Sequence, residues 1–315
     1  MNYKLFVLII TLFITHTSLA QNIELKKGSG FFKINGIGKH HNDSIIIFYH
    51  KPINFTQNSK ILIVVPGAGR NGDSYRDSWI KTSEKHSVLI LSSSYSENDY
   101  NYGDYHLGGL IKDLDLSQGV SFKKGTNQIH IDEDVIAFNA DTNKRNWIFN
   151  DFDRIFELVK NATHSNQKKY DMFGHSAGGQ ILHRFVLCHP NSKADRILAS
   201  NAGTYTLPDF ETSYPFGIEN LNIPKKQLKR SFNKKLVLFL GELDNILETR
   251  GRMLRSKTAD KQGTSRIERG KNFYSFSKEL TKTSEMTFNW ELKIVPNVGH
   301  DQKKMAKAAA KYLYE

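Results

Sequence analysis

The stretch Tyr170-Asp171-Met172-Phe173-Gly174-His175-Ser176-Ala177-Gly178-Gly179 decides how the rest of the chain is read. A short apolar strand runs into a tight turn, and a helix is expected over 177–188. Gly174-His175-Ser176-Ala177-Gly178 fits G-x-S-x-G, a strand-to-helix turn so sharp that its serine stands exposed at the apex. Gly174 and Gly178 flank that apex, where a side chain would strike the neighbouring strand or helix, and Gly179 permits close backbone approach. The start of the helix offers free N–H groups and the positive end of a dipole, both suited to a developing oxyanion. Ser176 is therefore the candidate nucleophile.

Working outward, apolar runs at 60–65, 87–92, 196–200, 235–240 and 290–295 are expected as strands, the first of them buried on both faces. A hairpin is expected ahead of them, over 30–38 and 44–50 with its turn at Asn42-Asp43. An amphipathic helix is expected over 147–160, and further helices over 262–280 and 302–313. Strands alternating with helices imply right-handed crossovers and an α/β fold: a mostly parallel central sheet with helices on both faces. Residues 95–146 break this rhythm, with Tyr95, Tyr100, Tyr102, Tyr105, His106 and Phe122 set among Asn, Asp, Gly and Ser. A stretch that long without periodicity is expected to be functional, forming one wall of a pocket. Within it, Asp113-Leu114-Asp115-Leu116-Ser117 hints at a calcium loop, but the required glycine and the closing carboxylate are misplaced, so no metal is expected there.

Four turns follow apolar strands, and in an open parallel sheet such turns share the edge where ligands bind. Pro66-Gly67-Ala68-Gly69-Arg70-Asn71-Gly72 lacks the lysine and hydroxyl of a phosphate loop, so its N–H groups are better used on an oxyanion. The oxyanion donors are expected to be the amides of Ala68 and Ala177. Gly241-Glu242-Leu243-Asp244-Asn245 offers two carboxylates, of which Asp244 lies deeper in the turn and is preferred over Glu242. Gly299-His300 follows the last strand, making His300 the candidate general base, its tautomer fixed by Asp244. The order Ser176, Asp244, His300 is that of α/β-hydrolases. Gly69, Arg70, His175, Tyr105 and Tyr205 are expected to line the pocket. His183 and His189 face different sides of the helix after Ser176 and make no metal pair.

Bulk properties bound the remainder. The chain has 315 residues, 39% hydrophobic and 24% charged, which suits one globular domain over 21–315. Its start is of another kind: Lys4, the apolar run Leu5 to Ile14, then Ser18-Leu19-Ala20. A basic start, a short apolar run and small residues before the cut define a secretory signal peptide over 1–20, too short in its apolar part to span a bilayer. The protein is thus expected in the periplasm or outside the cell, with no stable membrane insertion. Cys188, the only cysteine, is expected to be a small buried hydrophobe. The net charge of +12 comes from basic residues spread through 225–235 and 250–271. With no interleaved aromatic array they are expected to form a solvated face, with no nucleic-acid partner.

With these turns in hand, the chain resembles the α/β-hydrolase superfamily over nearly all of 21–315. The resemblance is carried by Pro66-Gly67-Ala68, Gly174-His175-Ser176-Ala177-Gly178, Asp244 and Gly299-His300. Within that superfamily it is most similar to the secreted esterases of the polyhydroxybutyrate depolymerase and feruloyl esterase group. It departs from many of them in having Pro66 before and Ala68 after the oxyanion-loop glycine, where they carry histidine and cysteine. The resemblance implies a serine hydrolase without cofactor, acting on a small-molecule or polymeric ester. A secreted serine peptidase or amidase would use the same residues, and a non-catalytic binding protein on the same fold is the alternative outside enzymes. Oligomeric state is not legible in the sequence.

Overall fold

The computed structural model describes residues 23–284 and 286–315. The signal peptide expected over 1–20 lies outside the described residues. The apolar runs become strands β1 (Gly28–Asn35), β2 (Ser44–Lys51), β3 (Ile61–Val65), β4 (Leu89–Tyr95), β5 (Tyr170–His175), β6 (Ala194–Ser200), β7 (Lys235–Gly241) and β8 (Glu291–Val295). They form one eight-stranded sheet in the order β1-β2-β4-β3-β5-β6-β7-β8. β2 alone runs against its neighbours; every pairing from β4 to β8 is parallel. This is the mostly parallel sheet of the α/β-hydrolase fold.

Every residue of β3 is buried, and alternate side chains feed two separate cores. Ile61, Ile63 and Val65 join one core with Met172, Ile197 and Leu238. Helices Phe149–Thr163 and Ala177–Cys188 cover that face. Leu62 and Val64 join the other with Phe173, Leu198 and Val237, beneath helix Gln302–Tyr314. A strand buried on both faces needs an unbroken apolar run, which explains why these segments were visible in the sequence. Cys188 is buried in the first core.

Several element boundaries depart from the sequence expectation, among them the strand expected over 30–38, which is Gly28–Asn35, and the helix expected over 147–160, which is Phe149–Thr163. β4 starts at Leu89 and not at 87, because Ser87 adopts a left-handed conformation (φ 52°) to end the helix Ile80–His86. The helix expected over 262–280 runs Arg266–Thr283: Ser265 and Glu268 close a reciprocal capping box that fixes its first residue. Lys225–Phe232, legible only as basic, is a short helix with Leu228 and Phe232 buried. Most basic residues of 250–271 are exposed, as expected of a solvated face: Arg250, Arg252, Lys257, Lys261 and Lys271. Two are exceptions. Arg266 and Arg269 are buried, the first paired with Asp244 and the second with Asp260. Charge in a sequence run cannot show which guanidinium a distant carboxylate will claim.

Residues 95–146 hold small elements of their own. Ile111–Lys112 pairs with Asn139–Ala140, while Val120–Phe122 and Gln128–Ile131 join Met253–Arg255 in a three-stranded sheet. Among the described residues, no helix is long and apolar enough to cross a membrane.

Candidate active site

The register of the parallel strands brings the C-terminal ends together. Val65 lies opposite Gly174, His175 opposite Ser200, Ser200 opposite Phe239, and Gly241 opposite Val295. The turns that follow these strands therefore open on one sheet edge.

At β5, Ser176 has φ 60° and ψ −117°, an unusual conformation for a residue with a side chain. Such outliers cost about 1–3 kcal/mol and persist only where the surroundings force them. Here the force is steric. A Cβ on Gly178 would stand 2.0 Å from the Val65 carbonyl oxygen, and one on Gly174 would stand 2.4 Å from the Gly178 carbonyl oxygen. The Ser176 N–H donates to the Ser200 carbonyl at 2.9 Å, pinning the turn to β6. Ser176 is left half-exposed between buried neighbours. The turn after β3 abuts it: a Cβ on Gly67 would lie 3.4 Å from the serine Cβ. Ala177 is the first residue of the helix, where a backbone amide has no intrahelical acceptor.

After β7 and β8, the two remaining candidates meet. The His300 Nδ1 lies 2.8 Å from Asp244 Oδ2, with both side chains buried. The rival Glu242 points elsewhere, its carboxylate accepting the Asn297 N–H at 2.8 Å. Asp244 Oδ1 accepts from Arg266 Nη1 at 2.9 Å. The His300 N–H donates to Glu248 Oε2 at 2.6 Å. Asn201 ties the strand ends together, accepting from the Gly241 N–H at 2.8 Å and donating to the Gly299 carbonyl at 3.1 Å. Burial lowers the pKa of the His300 imidazole; its hydrogen bond to Asp244 works in the opposite direction, and the Arg266 charge adds to the lowering. The ring is thus held neutral with Nδ1–H directed at the carboxylate, leaving Nε2 as an acceptor.

Ser176, His300, Ala68 and Ala177 all line one cavity of about 1240 Å³. Its walls are largely apolar, with Leu114, Ile129, Ile136, Phe138, Leu207 and Phe276 among the lining residues. Residues between Tyr102 and Phe138 supply much of one side. Gly69 and His175 also line it; the His175 ring sits 4.6 Å from that of His300 and is kept neutral chiefly by burial.

The other three expected pocket residues stand behind the wall, and this corrects the sequence reading. Arg70 is buried, its guanidinium donating to the carbonyls of Ser96 at 3.1 Å and Tyr100 at 2.5 Å. Tyr105 is buried beneath it and donates its hydroxyl to the Pro66 carbonyl at 2.8 Å. Tyr205 is buried against His183 and Phe273. Aromatic and basic residues in a loop carry no mark of which side they face. Arg70 and Tyr105 brace the turn that holds Ala68 and do not touch the cavity.

Four contributors escaped sequence reasoning: Glu248, Arg266, Asn201 and Tyr75. Tyr75 lines the cavity beside Gly67, and burial pushes its hydroxyl up to about 12, so it remains protonated. The capping box Ser265–Glu268 marks the start of a helix but gives no hint that its first residue reaches Asp244. Among the described residues no group of three His, Cys, Asp or Glu side chains is placed to hold a metal ion.

No family model and no curated protein matches the chain. Solved structures do. The chain is 30% identical to poly(aspartic acid) hydrolase-1 from Sphingomonas sp. KT-1, with 92% of this chain and 100% of that one covered at a TM-score of 0.79. A poly(3-hydroxybutyrate) depolymerase from Bordetella parapertussis, at 23% identity and a TM-score of 0.77 over 92% of this chain and 91% of its own, shares the fold. So does an IroE-like serine hydrolase from Shewanella oneidensis, at 14% identity and a TM-score of 0.52 over 90% and 80%. With 30% identity over the whole length of the Sphingomonas enzyme, the chain belongs to the same α/β-hydrolase family, and the class of its reaction is hydrolysis.

Proposed function

We propose that this protein is an exported serine hydrolase that cleaves carboxylic esters with an apolar acyl group through a Ser176-His300-Asp244 acyl-enzyme mechanism. The observation that carries the reading is the buried His300–Asp244 pair at 2.8 Å, whose imidazole opens on the cavity that also holds Ser176. Ser176 Oγ attacks the ester carbonyl while His300 Nε2 takes its proton, and Asp244 stabilises the imidazolium. The amides of Ala68 and Ala177 receive the oxyanion, each such donor contributing about 2.7–4 kcal/mol. Collapse of the tetrahedral intermediate releases the alcohol, protonated by His300. Water then enters with His300 again as base, freeing the acid and restoring Ser176.

Two features support an apolar acyl group: the aliphatic and aromatic walls, and the small number of charged lining residues, such as Glu133, Arg252 and Lys261. An amide substrate is the second reading. It is favoured by the relative named for poly(aspartic acid), an amide-linked polymer. Export rests on the segment Lys4 to Ala20, and amino-terminal sequencing of protein recovered from outside the cytoplasm tests it: a chain starting at Gln21 is expected, and a retained Met1 overturns it.

A hydrolysis panel tests the activity, with short and long acyl esters, a feruloyl ester, polyhydroxybutyrate and peptide amides, run beside Ser176→Ala. A fluorophosphonate probe should label the wild type and not the variant, and turnover should drop on the order of 10⁶-fold in kcat. Equal labelling of the two proteins would remove Ser176 from its role.

A further inference from the structure

Asp244 uses its two oxygens on two partners. Oδ2 faces His300, while Oδ1 accepts from Arg266, whose side chain is 3% exposed. The other end of the same guanidinium binds backbone: Arg266 Nη2 donates to the Arg252 carbonyl at 2.9 Å and to that of Arg250 at 3.3 Å. Ile267, next in sequence, donates its N–H to the Asp244 carbonyl at 3.1 Å, so the helix start and the turn are bound twice. The loop that Arg266 holds lies against the imidazole. Gly251 takes φ +64°, and a Cβ there would come within 2.8 Å of His300 Nε2, the atom that must exchange a proton with serine. Nothing larger than hydrogen fits between the loop and the ring.

We propose that Arg266 is a positioning residue for the triad, clamping the Asp244 carboxylate and the 250–252 loop so that the His300 ring is seated with Nε2 toward Ser176. This rests on the reading of His300 as the general base. A fully buried cation is expensive unless paired and hydrogen-bonded; the two terminal nitrogens of Arg266 are met by one carboxylate and two carbonyls, while its Nε has no hydrogen-bond partner among the described residues. Its charge has a second effect, because it lies one carboxylate away from the base. The groups facing His300 are the Asp244 carboxylate on Nδ1, Glu248 on its backbone N–H, the His175 ring, Arg266 behind Asp244, and Arg250 with Asp301 at the outer edge. Asp244 and Glu248 favour the imidazolium; Arg266 opposes it in the same sense as burial. Arg266 therefore keeps the base available as pH falls.

The test is the pH dependence of kcat/KM on a soluble p-nitrophenyl ester for the mature wild type, Arg266→Met and Arg266→Lys, each normalised to sites labelled by fluorophosphonate. The wild-type acid limb is expected below the ordinary histidine value of about 6.5. Arg266→Met should move that limb upward by about one pH unit and lower the plateau. Arg266→Lys, which keeps the charge but not the fork, should lower the plateau with the limb nearly in place. A residue that only braced the fold would lower the plateau and leave the limb unmoved, so coincident limbs for wild type and Arg266→Met overturn the proposal. If Arg266→Met does not fold, Arg266→Gln takes its place in the same comparison: an acid limb moved upward supports the proposal, and one coincident with the wild type overturns it. A wild type that neither labels nor turns over overturns this and the functional reading together, whereas an active, labelled wild type with unmoved limbs overturns the proposal alone.

Discussion

The two ends of the site are held by different means. Around Ser176 the restraint is backbone against backbone: glycine Cα atoms lie so close to the carbonyls of Val65 and Gly178 that no side chain could be added. Around His300 the restraint is side chain against side chain, through Asp244, Arg266, Glu248 and Asn201. The first arrangement is intolerant of added atoms and the second of lost ones. Each can be attacked separately, and the consequences should differ in kind.

Among substitutions that leave Ser176 in place, Asp244→Asn should have the largest effect. Asparagine cannot hold the imidazole in the tautomer that leaves Nε2 free, and it withdraws the anion that the Arg266 guanidinium pairs with. A fall in kcat on the order of 10⁴-fold is expected. The measurement is steady-state hydrolysis of an activated ester, normalised to correctly folded protein by circular dichroism. A loss below tenfold would mean that His300 does not depend on this carboxylate. Gly178→Ala attacks the other end and should act on stability first. The added methyl would overlap the Val65 carbonyl, which belongs to a central strand and cannot yield, so a loss of about 3 kcal/mol or more is expected in urea unfolding. An unchanged unfolding midpoint would show that the elbow is not sterically set.

The same contrast explains what the sequence disclosed. Steric restraint requires glycine and a both-faces-buried strand requires an apolar run, so Gly174, Gly178 and the central strands announced themselves locally. His300 and Asp244 could be read as candidates because they follow strands whose ends the topology gathers. Arg266 and Glu248 had no such mark. Each acts on a partner far away in sequence, and a Lys/Arg-rich run over 250–271 has the same composition whether its members meet water or Asp244. Arg70, Tyr105 and Tyr205 failed in the opposite way: their types suited a pocket, but the packing turned them to its outer side.

Tyr105→Phe tests the brace between these ends. The hydroxyl serves the Pro66 carbonyl, one residue before the close approach of Gly67 to the serine. Its removal leaves a buried carbonyl without that donor, which costs about 1–2 kcal/mol. Because the turn carrying Ala68 loosens while Ser176 and His300 stay in place, kcat should drop more than KM changes. A variant with wild-type kcat would show that the turn is held without this bond.

The smallest effect sharpens the comparison most, because it isolates charge from packing. Glu248 is held at about 2, below its ordinary 4.5, chiefly by the Arg250 guanidinium at 2.7 Å, with the His300 N–H assisting. A carboxylate whose folded value is depressed contributes stability that is present above about 4.5 and is lost as pH falls through about 2. Glu248→Gln keeps an oxygen for the His300 N–H but gives up the charge. Since Arg250 is half-exposed, the pair contributes only about 0.5 kcal/mol. The variant should therefore be slightly less stable than the wild type at neutral pH, and the gap should close as pH is lowered from about 4.5 toward about 2. A gap that stays constant over that window would mean that Glu248 acts by shape alone, and the histidine end would then be held, like the serine end, by fit more than by charge.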